Sequence, residues 1–142
     1  MTKEVTVKVE GTQLGEAGVW EDPILLTARG SCHELNDRYY VQYEEETEEG
    51  RILIRNMLKI SLSRIEMTKK GAAVSQMTFD VNDITQASYQ TPYGSLNFEV
   101  RTSKLTVEET MEQLEVRLEY ALYSNDIHIS DNRTMIKINA IR

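Results

Sequence analysis

Apolar and polar residues alternate along most of this chain with a period of two. Val5, Val7 and Val9 are separated by polar or charged residues, and the alternation returns in the ranges Ile24–Cys32 and Tyr39–Tyr43. A period of two is the pattern of β-strands that bury one face. Gly, Pro, Asn and Asp residues separate the alternating stretches, as they do in turns. The pattern predicts roughly nine or ten strands and no convincing helix.

One segment, Val107–Leu122, fits both a helix and a strand. Apolar residues recur there every three or four positions, and the Glu, Met, Gln and Leu content favours a helix. From Leu114 onward, however, apolar and polar residues also alternate. A helix would leave Val116 and Tyr120 outside the apolar stripe, whereas a strand accommodates both. We therefore predict a strand.

Two strands change the parity of their apolar positions. These positions are even-numbered over Leu96–Val100 but odd-numbered at Leu105 and Val107. One inserted residue restores a common inward face, so we predict a β-bulge at Thr102–Lys104. A similar change of parity predicts an irregularity within Ser130–Thr134.

Turn-forming residues mark the connections between the predicted strands. Gly11–Pro23 is predicted to be a long loop, Glu44–Gly50 a second turn region, and Thr91–Gly94 a hairpin turn. Small residues at Ala28 and Gly30 predict a sharp bend or a close approach between backbones.

Strands in this number and order predict an all-β protein built as an antiparallel meander. Such strands close into a barrel or fold into a sandwich, and we favour the barrel because closure removes exposed strand edges. The expected barrel has about 8–10 strands. A chain of 142 residues fits one domain, so residues 1–142 are expected to form a single barrel.

Several strand and turn signatures resemble those of a known family. They are Tyr39–Glu44, Lys70–Gly71, Ser75–Phe79 and Tyr89–Gly94. In these segments the chain resembles the YwiB-like proteins, a bacterial family of uncharacterised function. The resemblance implies a lipocalin-like, calycin-type barrel in the cytoplasm. It brings no known activity and no catalytic residues, and inferring a small ligand from such a fold is analogy alone.

Composition and charge restrict the expected partners and location. The net charge is −7, and no stripe of Lys and Arg is present, so we expect neither nucleic acid nor an anionic membrane as a partner. No apolar run approaches the roughly 20 residues of a membrane helix. Cys32 is the single cysteine and forms no internal disulfide, which favours the cytoplasm.

The residues that most often carry chemistry do not form a convincing site. His33 and His128 have the parity of the polar face, so both are expected to face solvent. Adjacent strand residues point to opposite faces, which prevents Cys32 and His33 from binding one zinc ion. The acidic run Glu44–Glu49 lacks the spacing of a calcium loop. We therefore expect no metal, no cofactor and no catalysis.

The chain has seven tyrosines, and a tyrosine inside a barrel needs a partner for its hydroxyl. Aromatic and polar residues on predicted strands or turns form the speculative ligand site: Tyr40, Asn56, Gln76, Tyr89, Tyr93, Arg101, Arg117 and Tyr120. The inward rows are rich in Leu, Ile, Met and Phe, which favours an interior filled by side chains. A ligand-sized cavity is the alternative.

Two functions from different classes follow. The first is noncatalytic binding of a small apolar or amphipathic molecule inside the barrel. The second is a protein-interaction module or homodimer that uses its acidic rim or exposed apolar residues such as Leu25, Leu53 and Met57. An enzyme ranks third, because acid–base chemistry needs carboxyl groups enclosed together in a pocket.

Overall fold

The computed structural model of the chain describes residues 2–46, 49 and 51–141. In these residues ten strands follow one another: β1 (Thr2–Gln13), β2 (Ile24–Leu35), β3 (Arg38–Glu46), β4 (Ile52–Ile60), β5 (Arg64–Gly71), β6 (Ser75–Asp80), β7 (Thr85–Thr91), β8 (Gly94–Glu109), β9 (Gln113–Ser124) and β10 (Ile127–Ala140). Each strand pairs antiparallel with the next, and β10 pairs with β1. The chain is a closed all-β barrel, which confirms the predicted fold class.

The connections define two ends of the barrel. We call the end of the barrel at which β1, β3, β5, β7 and β9 end the upper end, and the end at which these strands begin the lower end. Two hairpins have tight two-residue turns, Asn36–Asp37 and Asn125–Asp126, in which every residue has a positive φ. Short Asn and Asp side chains tolerate this left-handed conformation, which matches the twist of paired strands.

The ambiguous segment contains no helix, but it is not one continuous strand. Val107–Glu109 end β8, residues 110–112 form a turn, and the rest of the segment lies in β9. The predicted β-bulge is confirmed, since the register of β8 against β9 shifts between Thr102 and Lys104. The second irregularity lies between His128 and Ser130, just before the range Ser130–Thr134 expected for it.

Two predicted connections differ from the structure. Strand β1 continues to Gln13, because Gly11–Gln13 pair with β10, so the long loop is shorter than expected. The prediction of a turn is wrong for Glu44–Glu46, which pair with β4 as part of β3. The remaining turn residues Thr47, Glu48 and Gly50 lie outside the described residues.

The hydrophobic core fills the lower half of the barrel. Leu58, Ile60, Ile65, Phe79 and Val100 are each 2% exposed or less. All five lie on the inward parity of their strands, and burying side chains of this size from four different strands leaves little space between them. The part of the chain that the structure describes contains no helix long and apolar enough to span a membrane.

Candidate ligand site

The upper half of the barrel is hollow. Inward-facing apolar residues such as Val9, Leu26 and Met67 pack against the core but are only partly buried. They line a cavity of about 680 Å³ that reaches the upper end, where Asp22 and Ala73 stand at its mouth. This volume lies within the range of small-molecule sites, roughly 300–1,000 Å³.

Strand register arranges the cavity wall in two rows. The upper row, which we call the polar row, consists of directly paired residues of β3 to β7: Tyr43, Asn56, Lys69, Ser75 and Tyr89. The next row toward the lower end, the apolar row, consists of Val41, Leu58, Met67, Met77 and Ala87, of which Leu58, Met67 and Met77 line the cavity. The cavity is therefore polar near its mouth and apolar at its floor.

Glu45 lies above the polar row, toward the upper end, and binds two side chains of that row. Its Oε2 atom accepts a hydrogen bond of 2.9 Å from Asn56 Nδ2 and one of 3.0 Å from Lys69 Nζ. Burial alone would raise the pKa of the Glu45 carboxyl, but these hydrogen bonds and the positive charge of Lys69 outweigh burial and lower it. The cluster is thus an ion pair, in which the positive charge of Lys69 balances the carboxylate.

Three tyrosines point into the same cavity. Burial, and to a lesser degree the charge of Glu45, raises the pKa of Tyr43 to about 12. Burial also raises the pKa of Tyr120 to about 12, and the Tyr120 ring packs 4.7 Å from that of Phe79. The Tyr89 hydroxyl donates to Met77 Sδ at 3.0 Å, a weak acceptor. All three hydroxyls remain protonated near neutral pH and can act as hydrogen-bond donors, although that of Tyr89 already donates to Met77.

The structure brings three of the predicted site residues together. Asn56, Tyr89 and Tyr120 face the lumen and line the cavity. Asn56 is the most enclosed of them, at 5% exposure. These residues share the parity of buried neighbours on their strands.

The other predicted residues lie outside the lumen, so the structure does not bring them into an interior site. Tyr40 lies between the inward residues Tyr39 and Val41 and packs under Lys59 on the outer wall. Gln76 is exposed between inward neighbours on β6, and Tyr93 is fully exposed at the tip of a turn.

The two predicted arginines also lie on the outer wall. The guanidinium of Arg101 lies 3.8 Å over the Tyr123 ring, and Arg117 pairs with Glu115 at 3.2 Å. Their strands alternate faces, and Val100 and Val116 next to them take the inward positions.

Sequence reasoning missed Tyr43, Glu45 and Lys69. All three share the parity of apolar neighbours, Tyr43 and Glu45 with Val41 and Lys69 with Met67. That signal is present for each, but the acidic composition around Glu45 predicts a turn, and charged residues are uncommon on an inward face. Their meeting at one point depends on the pairing of β3, β4 and β5.

A separate recess of about 680 Å³ lies at the lower end. It contains Cys32 and Tyr39 together with the carboxyl groups of Glu34 and Glu109. Burial and the charge of Glu34 raise the pKa of the Cys32 thiol. Burial and a hydrogen bond to Glu109 likewise raise the pKa of Tyr39. Both groups are therefore protonated at neutral pH, and a protonated thiol is a poor nucleophile.

The histidines and acidic residues form no metal cluster among the described residues. His128 Nε2 lies 2.9 Å from Asp131 Oδ1 on the exposed surface, and its ring meets Tyr123 edge-on. His33 is on the outer parity of β2 and is partly buried. Neither histidine reaches the cavity.

Comparisons with known proteins agree with the fold. The model of a family described as "Domain of unknown function (DUF1934)" matches residues 7–136. The crystal structure of ywiB protein from Bacillus subtilis is similar, with a TM-score of 0.81 and 18% identity, over 99% of this chain and 94% of that one. At that identity the likeness concerns the fold. No curated protein matches the sequence.

Proposed function

The chain belongs to the DUF1934 family, a domain of unknown function, and we propose that its barrel binds a small amphipathic molecule without catalysing a reaction. The family match and the similar solved barrel also bear out the resemblance to YwiB-like proteins. Neither carries an activity to this chain, so the proposal depends on the cavity.

The observation that supports it most strongly is the order of the two rows. A molecule that enters from the upper end meets the polar row first, and only its leading part reaches the apolar row formed in part by Leu58, Met67 and Met77. Burying an apolar group there is favourable at about 25 cal/mol per Å² of surface removed from water. A polar end would remain beside Tyr43 and Asn56, where hydrogen bonds are available.

The chemistry of the titratable groups favours binding over catalysis. Glu45 is held as a carboxylate by Lys69 and Asn56, so it is a poor proton donor. In the lower recess, Cys32 and Tyr39 are held in their protonated forms. General acid–base catalysis needs a group whose pKa lies near the working pH.

The proposal is tested by titrating the protein with the fluorescent apolar probe N-phenyl-1-naphthylamine. Met67→Trp places an indole in the apolar row, and we expect it to weaken probe binding about tenfold or more because the cavity is filled. Met135→Trp is the matched control, since Met135 lies on the outer parity of β10. Equal binding by both variants, or no binding by the native protein, would contradict the proposal.

The alternative function is a protein-interaction module or homodimer. It is favoured by exposed apolar side chains, since Leu25 is 70% exposed and Leu53 40% exposed, although Met57 is partly buried. Sedimentation velocity over a wide concentration range distinguishes the two functions. A dimer that Leu25→Ser and Leu53→Ser disrupt would favour the module, whereas a monomer at all concentrations would count against a homodimer.

A further inference from the structure

The wall of the barrel is open between β2 and β3 near the upper end. The pairing of these strands stops at Gly30 and Tyr43, although β2 remains paired with β1 as far as Ile24. On the other side, β3 remains paired with β4 as far as Glu46. Within the described residues, Ile24–Arg29 therefore have a neighbour on one side only. We call this gap the β2–β3 opening.

The β2–β3 opening adjoins the lumen cavity on one side and the outer surface on the other. A cavity of about 1100 Å³ occupies it. Its wall includes Leu26, Tyr43 and Asn56, which also line the lumen cavity. It also includes Arg29 and Lys70, whose side chains lie on the outer parity of their strands. The lumen cavity and these cations therefore share one stretch of the barrel wall.

In a protein of net charge −7, the outer wall beside the opening carries three cations, Arg29, Arg55 and Lys70, and two carboxylates, Glu44 and Glu46. Register places Glu44, Arg55 and Lys70 side by side on β3, β4 and β5, and Arg29 stands on the far side of the gap. Arg55 Nε lies 3.8 Å from Glu44 Oε1, which engages that carboxylate.

Two cations beside the opening have no ion-pair partner. Among the described residues, neither Arg29 nor Lys70 has a carboxylate within ion-pair distance. Inside the opening, Glu45 is engaged with Lys69 and Asn56. Of the remaining acidic residues that line the opening, only Glu46, at the end of β3, is unpaired. The unbalanced charge at the opening is thus mainly positive.

We propose that the ligand is an anionic amphiphile whose hydrocarbon part lies in the lumen and whose anionic head group projects through the β2–β3 opening to Arg29 and Lys70. This proposal rests on the proposed function, because it assigns the chemical class of the ligand and the position of its head group. The balanced pair of Glu45 and Lys69 inside the lumen offers no net charge to an anion, whereas the two outer cations do. Arg and Lys have long side chains that reach across such a gap.

The test compares three ligands that share one hydrocarbon chain and differ in the charge of the head group: dodecanoate, 1-dodecanol and dodecyltrimethylammonium. Each is titrated as a competitor of N-phenyl-1-naphthylamine at low ionic strength, where surface charges act most strongly. We expect dodecanoate to bind about tenfold more tightly than 1-dodecanol, and the cationic compound to bind most weakly.

Charge reversal at the opening provides the second arm. We expect the double variant Arg29→Glu/Lys70→Glu to weaken dodecanoate binding about tenfold or more and to leave 1-dodecanol binding within about twofold. The control is Arg38→Glu/Lys104→Glu, which reverses one exposed Arg and one exposed Lys away from the opening. We expect it to change neither affinity.

The outcomes separate this proposal from the one on which it rests. Equal affinity for dodecanoate and 1-dodecanol, or equal weakening of both by the opening variant, would overturn the anionic head-group site and leave lumen binding intact. A similar effect of the control variant would also overturn it. Failure of all three compounds to displace the probe would contradict binding in the lumen itself.

Discussion

Gly30 is the residue of β2 at which pairing with β3 ends toward the upper end. A Cβ atom at this position would lie 2.1 Å from the backbone oxygen of Gln42, and Tyr43 is its Cα partner. Only a glycine permits this approach, so the residue sets both the last pair of the β2–β3 ladder and the start of the opening above it.

Gly30→Ala tests that role. We expect it to lower the free energy of unfolding by about 2 kcal/mol or more, because the backbone oxygen of Gln42 must move. Gly11→Ala on the neighbouring β1 is the control, since a Cβ there meets no atom within 4 Å. We expect the control to change the stability by less than about 1 kcal/mol in urea denaturation. Equal effects would contradict the close approach.

The ionised carboxylate of Glu45 stabilises the folded state through its contacts with Asn56 and Lys69. Its pKa is lowered in the folded state, so its contribution is present above the pKa of the unfolded chain and is lost as the pH falls through the folded pKa. We expect Glu45→Gln to cost about 1 kcal/mol at neutral pH and progressively less in acid. Urea unfolding at a series of pH values measures this difference.

Glu46→Gln is the control for this pH dependence. Glu46 lies next to Glu45 on β3, is exposed, and has no ion-pair partner among the residues that the structure describes. A difference between native protein and Glu45→Gln that does not change with pH would contradict the pairing with Lys69.

At the scale of single strands, β8 and β10 each keep their apolar side chains facing inward because each contains an irregularity. In β8, Thr102 and Lys104 pair with consecutive residues of β9, so Ser103 is the inserted residue. Without it, Leu105 and Val107 would point outward, because a shift of one residue exchanges the two faces of a strand. The parity of apolar residues was sufficient to predict this bulge.

Deletion of Ser103 is expected to destabilise the barrel by several kcal/mol, about 3 or more, because two apolar side chains lose their burial. Ser103→Ala keeps the chain length and removes only the hydrogen bond from Ser103 Oγ to the Glu119 backbone oxygen. We expect this control to cost about 1 kcal/mol or less. Thermal unfolding monitored by circular dichroism provides the comparison, and similar losses in both variants would argue against the bulge.

The sequence also shows where element prediction fails. Strict alternation identified β9 as a strand despite its helix-forming composition, because Val116 and Tyr120 required an inward face. The end of β3 was missed because Glu is depleted in strands. At Glu45, pairing with β4 and the contact with Lys69 override that preference, and neither is visible in a single local segment.

For the whole molecule, the order of strands and the closure between β1 and β10 followed from alternation and turn residues. Whether the interior is filled did not follow, because it depends on how inward side chains of different strands meet. Ile60, Ile65 and Phe79 fill the lower half, whereas Tyr89 and Lys69 line the cavity in the upper half. Both outcomes fit the same alternating pattern, which explains why a filled interior was favoured from sequence and a half-filled one was found.

Binding of an amphipathic molecule in the upper lumen is the central claim, and the methionines report on it directly. In protein labelled with ¹³C at the methionine methyl groups, titration with 1-dodecanol is expected to shift the resonances of Met67 and Met77, which line the cavity. Met111, which is 96% exposed, and Met135 on the outer wall are expected to remain unchanged. Unshifted Met67 and Met77 signals at saturating ligand, or shifts confined to Met111 and Met135, would contradict the account.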